Sequence, residues 1–231
     1  MLVPSRSQSP ETSLSRRAAI ARTLALAGGI ALRPAVVSAA DGVEPAFTPE
    51  NVLGPFYPLS KPLDRDADLT RLRGRKERAR GTVMDLSGRV LDLKGNPLRG
   101  IRLEIWQANT FGRYAHPMDE SGLQLDPNFQ GYALLTTDRE GRYRIRTIKP
   151  GVYPAEPGWV RPPHIHFEVR SRTNRLATQM FFPDEPLNEK DALYKSLGKY
   201  APAAIARTAP TPRDADSEAL SFRWDIVLYE R

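Results

Sequence analysis

The chain is expected to fold as an all-β protein: a β-sandwich with long irregular loops and an extended N-terminal arm. Three observations predict it. From residue 81 onward, apolar and polar residues alternate in short runs, and a two-residue period puts successive side chains on opposite faces of a strand. Turn-forming stretches such as Lys94-Gly95-Asn96-Pro97 and Asp138-Arg139-Glu140-Gly141 separate these runs. No long helical periodicity and no internal repeat competes with the strand pattern. With 231 residues, 40% of them hydrophobic, the chain is long enough for one domain with a real core plus a tail.

Residues 1–40 read as an export signal. A basic start at Ser15-Arg16-Arg17 precedes an apolar run from Thr23 to Leu32 and the small residues Val37-Ser38-Ala39-Ala40, the order of an n-region, h-region and cleavage site. The arginine pair makes it twin-arginine-like, although Ala18-Ala19-Ile20 departs from the bulky pattern usual after such a pair. The apolar run is too short for a membrane span. The expected location is therefore outside the cytoplasm, periplasmic or extracellular. The formal charge of +7 falls to +3 once the five arginines and single glutamate of this segment leave. The remaining arginines are scattered, so nucleic-acid binding is not expected. The absence of cysteine excludes disulfides and thiolate ligands; any metal must be held by His, Tyr, Asp or Glu.

Residues 41–80, rich in proline and charge and containing Gly54-Pro55-Phe56-Tyr57-Pro58, read as the extended arm, with Arg71 to Arg80 a solvated loop. The sandwich domain is expected over 81–231. Val83 and Val90-Leu91 flank a turn expected at Ser87-Gly88. Ile101, Leu103 and Ile105 alternate with Arg102, Glu104 and Trp106 as a half-buried strand. Tyr132 to Thr137 and Arg142 to Ile148 read as a hairpin about Asp138–Gly141. Ile165, Phe167 and Val169 face inward on the next strand; Leu176 to Phe182 and Phe222 to Tyr229 are two more, with a short helix at Asp191 to Tyr200.

The chemistry concentrates at His164-Ile165-His166, which holds two of the three histidines of the chain. On a strand the two imidazoles project from one face while Ile165 enters the core. This is half of a metal site, or two structural histidines. One completion is Glu168, two residues further along the same face, giving two histidines and a carboxylate as in ferrous oxygenases or a zinc hydrolase; each two-residue step moves about 6.6–6.8 Å along the strand, which takes Glu168 out of the pocket. Another completion is Tyr153 in Lys149-Pro150-Gly151-Val152-Tyr153-Pro154 with Tyr114 in Phe111-Gly112-Arg113-Tyr114-Ala115-His116. A tyrosine on such a loop is ordinarily a packing or hydrogen-bonding residue; a trivalent cation would favour its phenolate. His116 reads as a surface or hydrogen-bonding group. A metal-free binding module is the non-enzymatic alternative.

The run from Leu103 to Phe182 resembles the intradiol ring-cleavage dioxygenases, and most closely their iron-bearing protocatechuate branch. The motifs are Leu103-Glu104-Ile105-Trp106-Gln107-Ala108-Asn109, Gly112-Arg113-Tyr114, Leu125-Asp126-Pro127-Asn128-Phe129, Arg146-Thr147-Ile148-Lys149-Pro150-Gly151, Tyr153-Pro154 and Arg161-Pro162-Pro163-His164-Ile165-His166-Phe167, with Gly54–Pro58 resembling the arm. The resemblance implies a β-sandwich that holds a non-haem ferric ion through Tyr114, Tyr153, His164 and His166. It implies that Tyr153 leaves the metal and takes up a substrate proton, that Arg161 stabilises developing negative charge, and that Gln179 supports the site; a salt bridge that only braces the loop is the other reading of Arg161. The implied substrates are dioxygen and a catechol-type aromatic, opened between its hydroxylated carbons to a muconate-type diacid. The short loop from Ala155 to Val160, and Pro163 where relatives often carry alanine, leave the identity of the catechol open. The chain lacks the N-terminal helical segment of the catechol and hydroxyquinol branches, so a different assembly is expected: a homo-oligomer or a pairing with a homologous subunit.

Overall fold

The computed structural model describes residues 47–211 and 218–229; the expected export signal lies outside the described residues. Two sheets stack into a sandwich. One contains β1 (Val83–Asp92), which pairs antiparallel with β4 (Arg142–Ile148) and parallel with both β10 (Leu220–Arg223) and β11 (Ile226–Leu228), with the two-residue β9 (Arg207–Thr208) beyond β10. The other runs in the order β3 (Tyr132–Thr136), β2 (Arg102–Trp106), β7 (His164–Arg170), β8 (Arg175–Phe181), antiparallel throughout. A separate ribbon joins β5 (Tyr153–Glu156) to β6 (Trp159–Arg161). Helix is confined to α1 (Ala192–Lys195) and two short 3-10 turns, Asn188–Lys190 and Gly198–Ala204.

The core lies between the sheets. Met84, Leu86, Val90 and Ile145 face Leu103, Ile105, Ile165, Phe167, Val169 and Met180 across it, all fully buried. Residues 47–63 form no regular element but are fastened along β8 and over the second sheet. Asn51 N–H donates to Ala177 O at 2.8 Å, and Thr178 Oγ1 donates to Pro49 O at 2.8 Å. The segment 71–80 is mostly exposed.

Four expectations are corrected. Ser87-Gly88 is no turn: β1 runs through it, because β4, β10 and β11 pair with it along its whole length. The chain does turn at Asp138–Gly141, with Gly141 N–H donating to Asp138 O at 3.1 Å. The flanking strands do not form a hairpin, however; β3 enters one sheet and β4 the other, so the turn bridges the sandwich. Phe222–Tyr229 is broken into β10 and β11 where Trp224 inserts into the core beside Phe167. Finally, β2 is not half-buried. Glu104 and Trp106 are 2% and 1% exposed, because the arm covers the outer face of their sheet.

Candidate metal centre

That covered outer face carries the site. Antiparallel register sets Trp106 opposite His166, and His166 opposite Gln179; the next layers are His164 with Phe181 and Glu104 with Glu168. Two loops approach this row. In one, Asn109 Oδ1 accepts from the N–H groups of Phe111 and Arg113 at 2.9 and 3.0 Å, closing a tight turn before Tyr114. The other, 149–153, packs directly onto it, with Gly151 N–H donating to Asn109 O at 2.9 Å. A Cβ at Gly112 would fall 2.1 Å from Val152 O, and one at Gly151 would fall 2.4 Å from Thr110 O. Only glycine at both positions lets the tyrosine loops touch. The Tyr114 and Tyr153 rings meet edge to face at 5.6 Å.

The donor atoms converge. His164 Nε2 lies 3.1 Å from His166 Nε2 and 3.4 Å from Tyr114 Oη; the Tyr153 ring centroid is 5.8 Å from that of His164. His164 Nδ1 is 2.8 Å from Pro162 O, an acceptor only, so Nδ1 carries the proton and Nε2 presents a lone pair. Trp106 stacks on His166 at 4.9 Å and Phe56 of the arm stacks on Tyr114 at 4.6 Å. Burial, then the charge of Arg161, holds both histidines well below the ordinary imidazole range, so both are neutral and ligand-ready. Burial pushes Tyr114 well above the ordinary phenol range, reinforced by Tyr153. It also raises Tyr153, against the opposing charge of Arg161. Deprotonating two such phenols demands a strongly charged cation. The donor set of two neutral imidazoles and two buried phenols therefore fits a hard, trivalent metal ion.

Arg161 is 3% exposed and sits opposite Tyr153 across the β5–β6 ribbon. Its Nη2 donates to Gln179 Oε1 at 2.7 Å, and its Nε donates to Asp191 Oδ1 at 2.9 Å. Gln179 in turn donates from Nε2 to Val52 O at 3.0 Å, tying the arm to the site. Asp191 joins the site unannounced by the sequence. It is fully buried, accepts from Trp159 Nε1 at 2.9 Å, and caps α1 by accepting from Tyr194 N–H at 3.0 Å. An acidic residue immediately before a short helical run is a cap signal, but nothing in the sequence links it to Arg161.

Glu168 points along the same face yet belongs to a different cluster. It accepts from Tyr57 Oη at 2.9 Å and is paired with Arg170 at 2.7 Å and with Arg175. Glu104, beside it, is paired with Lys61 at 2.6 Å, accepts from the Tyr132 hydroxyl at 2.9 Å, and shares the single Tyr57 O–H with Glu168, the oxygen lying 2.9 Å from each carboxylate. With its oxygens so engaged, Glu168 is not a third ligand beside the histidines. His116 is buried rather than superficial; its Nδ1 accepts from Met118 N–H at 3.2 Å and its ring lies edge-on to Phe56.

Residues 52–230 match a family model described as Dioxygenase. The chain is 40% identical over 170 residues to the protocatechuate 3,4-dioxygenase beta chain of Burkholderia cepacia, covering 72% of each. It is 34% identical over 158 residues to the hydroxyquinol 1,2-dioxygenase of Rhizobium sp., covering 62% of this chain but only 50% of that relative. Among solved structures, the dioxygenase domain of a dioxygenase–carbohydrate-binding fusion from Streptomyces sp. SirexAA-E superposes with a TM-score of 0.60 at 27% identity, covering 79% of this chain and 98% of that one.

Proposed function

The chain belongs to the intradiol ring-cleavage dioxygenase family, and from that premise we propose that it is a non-haem ferric dioxygenase that opens a catechol-type ring between its two hydroxylated carbons. The observation that carries the proposal is that Tyr114 Oη and His166 Nε2 both lie within 3.4 Å of His164 Nε2, with Tyr153 beside them. Tyr114, Tyr153, His164 and His166 would hold the iron. A ferric ion held there would supply Lewis acidity toward catechol oxygens and an electron-accepting centre.

The protein residues divide the remaining work. His164 is locked as a donor to Pro162, so its ring keeps its orientation through the reaction. Tyr153 Oη is the base for one substrate proton: burial favours its protonated form once it is free of a cation. The Arg161 guanidinium is buried beside Tyr153, where it stabilises negative charge developing on the substrate. Asp191 and Gln179 fix the guanidinium plane, so no reorganisation is needed at that step. The exposed Ala155–Val160 ribbon tip borders Arg161 and is the part of the site free to select ring substituents.

The test is dioxygen uptake by the iron-loaded protein against catechol, protocatechuate and hydroxyquinol, with product identification. A diacid from cleavage between the hydroxylated carbons is expected; cleavage outside them, or no uptake with any of the three, overturns the proposal. The iron-loaded protein should be visibly coloured by tyrosinate-to-iron charge transfer, and Tyr114→Phe should weaken or shift that band. We also propose that residues 1–40 direct export and are removed. N-terminal sequencing of the secreted protein checks this, and the solution mass distinguishes a homo-oligomer from a pair with a homologous subunit.

A further inference from the structure

The opposite outer face of the sandwich holds a second feature, remote from the tyrosines and histidines. Where β1 changes partner from β10 to β11, the chain crosses over Gly88. Trp224 O lies so near that a Cβ at Gly88 would fall 1.7 Å from it, and Tyr143 Oη donates to that same oxygen at 2.7 Å. The crossing leaves an open cleft of about 410 Å³ whose lining includes Ser87, Gly88, Arg89, Arg142, Arg144 and Arg223, within the size range of small-molecule sites, about 300–1,000 Å³.

Register concentrates the charge. Arg89 stands directly opposite Arg142, and Ser87 lies between Arg144 on one side and Arg223 on the other. Beyond them Arg223 stands opposite Arg207. Like charges directly opposite on one sheet face oppose pairing, so two Arg–Arg pairs on one face carry a standing electrostatic cost. Arg144 shares Asp85 with Arg146, and Arg223 meets Asp225 at 3.1 Å. Among the described residues, the Arg89 and Arg142 guanidinium groups meet no carboxylate. Asp138 also lines the cleft, but its Oδ1 is committed to the N–H groups of Glu140 and Arg142 at 2.9 and 2.8 Å.

We infer that this cleft is a binding site for a small molecule bearing a carboxylate or phosphate dianion, held by Arg89 and Arg142 and flanked by Arg144 and Arg223. Guanidinium forks match both oxyanions bidentately, and an anion between opposed arginines removes their repulsion. The inference stands independently of the proposed ring cleavage.

The test is calorimetric titration of the full chain with inorganic phosphate and, separately, with succinate, each against sodium chloride at matched ionic strength. Saturable binding of at least one probe is expected, and the preferred probe names the source of the dianion. Arg89→Gln/Arg142→Gln should weaken it by about tenfold or more, whereas Arg172→Gln, exposed in the β7–β8 turn, should not. No saturable binding of either probe, or undiminished binding in the double variant, overturns the inference. Without anion, Arg142→Gln should melt at or above the wild-type temperature; a clear fall would mean that protein contacts, not a ligand, hold this arginine, and would also count against it.

Discussion

On β7 and on β4 alike, every second residue is polar, yet His164, His166 and Glu168 are at most 2% exposed while Arg142 and Arg144 stand in solvent. The strands share a period and differ in what lies above them. Over β7 the arm lays Phe56 on Tyr114, Tyr57 on the two glutamates, and Val52 O on Gln179. Over β4 the described residues put no comparable cover beyond the local Asp68–Arg146 bridge. Alternation therefore says which side chains leave the core, not whether they enter water or a second buried layer. In the buried layer polar groups must be paired or carry chemistry; on the open face arginines stand exposed, and an opposed pair such as Arg89 and Arg142 carries a repulsion that a bound anion would relieve.

The largest expected effect under the covered face comes from His166→Ala. It removes a donor atom and the partner of Trp106 at once, and should abolish iron retention and colour, read by metal analysis and the visible spectrum. Retained iron would refute the assignment. Next comes Asp191→Asn, which leaves the four donors in place but loosens Arg161. Outer partners of a metal site typically contribute about 10- to 100-fold, so turnover should fall by that amount with iron content unchanged.

Glu104→Ala tests the buried layer without touching the donors. Stranding Lys61 and the Tyr132 hydroxyl, while Tyr57 keeps Glu168, should cost about 1–3 kcal/mol in urea unfolding, less than a fully buried pair because Lys61 is 26% exposed. The same cluster sets a pH dependence. Burial raises the Glu104 and Glu168 carboxyls, but the bonds from Lys61, Tyr132 and Tyr57, and from Arg175, Tyr57 and Arg170, outweigh it and hold both below their ordinary value of 4.5. A depressed folded-state value means stability present in full above about pH 4.5 and lost as pH falls through the folded-state values. Acid unfolding should begin in that window and be shallower in Glu104→Gln/Glu168→Gln. The smallest effect belongs to the open face: Arg144→Gln should change unfolding free energy by no more than about 0.5 kcal/mol.

Much of this molecule was legible in the chain. Two-residue alternation marked the strands, and His164-Ile165-His166 announced a shared face because strand geometry is local. The glycines of Gly112-Arg113-Tyr114 and Pro150-Gly151 marked loops, and the resemblance of the ordered motifs named the family. Other features depend on partners distant in sequence. Whether Asp138–Gly141 closes a hairpin or bridges two sheets rests on β1 competing for β4, and Ser87-Gly88 stays extended because strands from residues 220–228 pair beside it. The grip of Asp191 on Arg161 spans 30 residues and that of Tyr57 on Glu168 spans 111. Backbone sterics and side-chain period act over a few residues, so the geometry of each strand and loop is written locally in the chain. Which polar faces are covered is settled by tertiary contacts, because cover depends on where a distant arm is fastened.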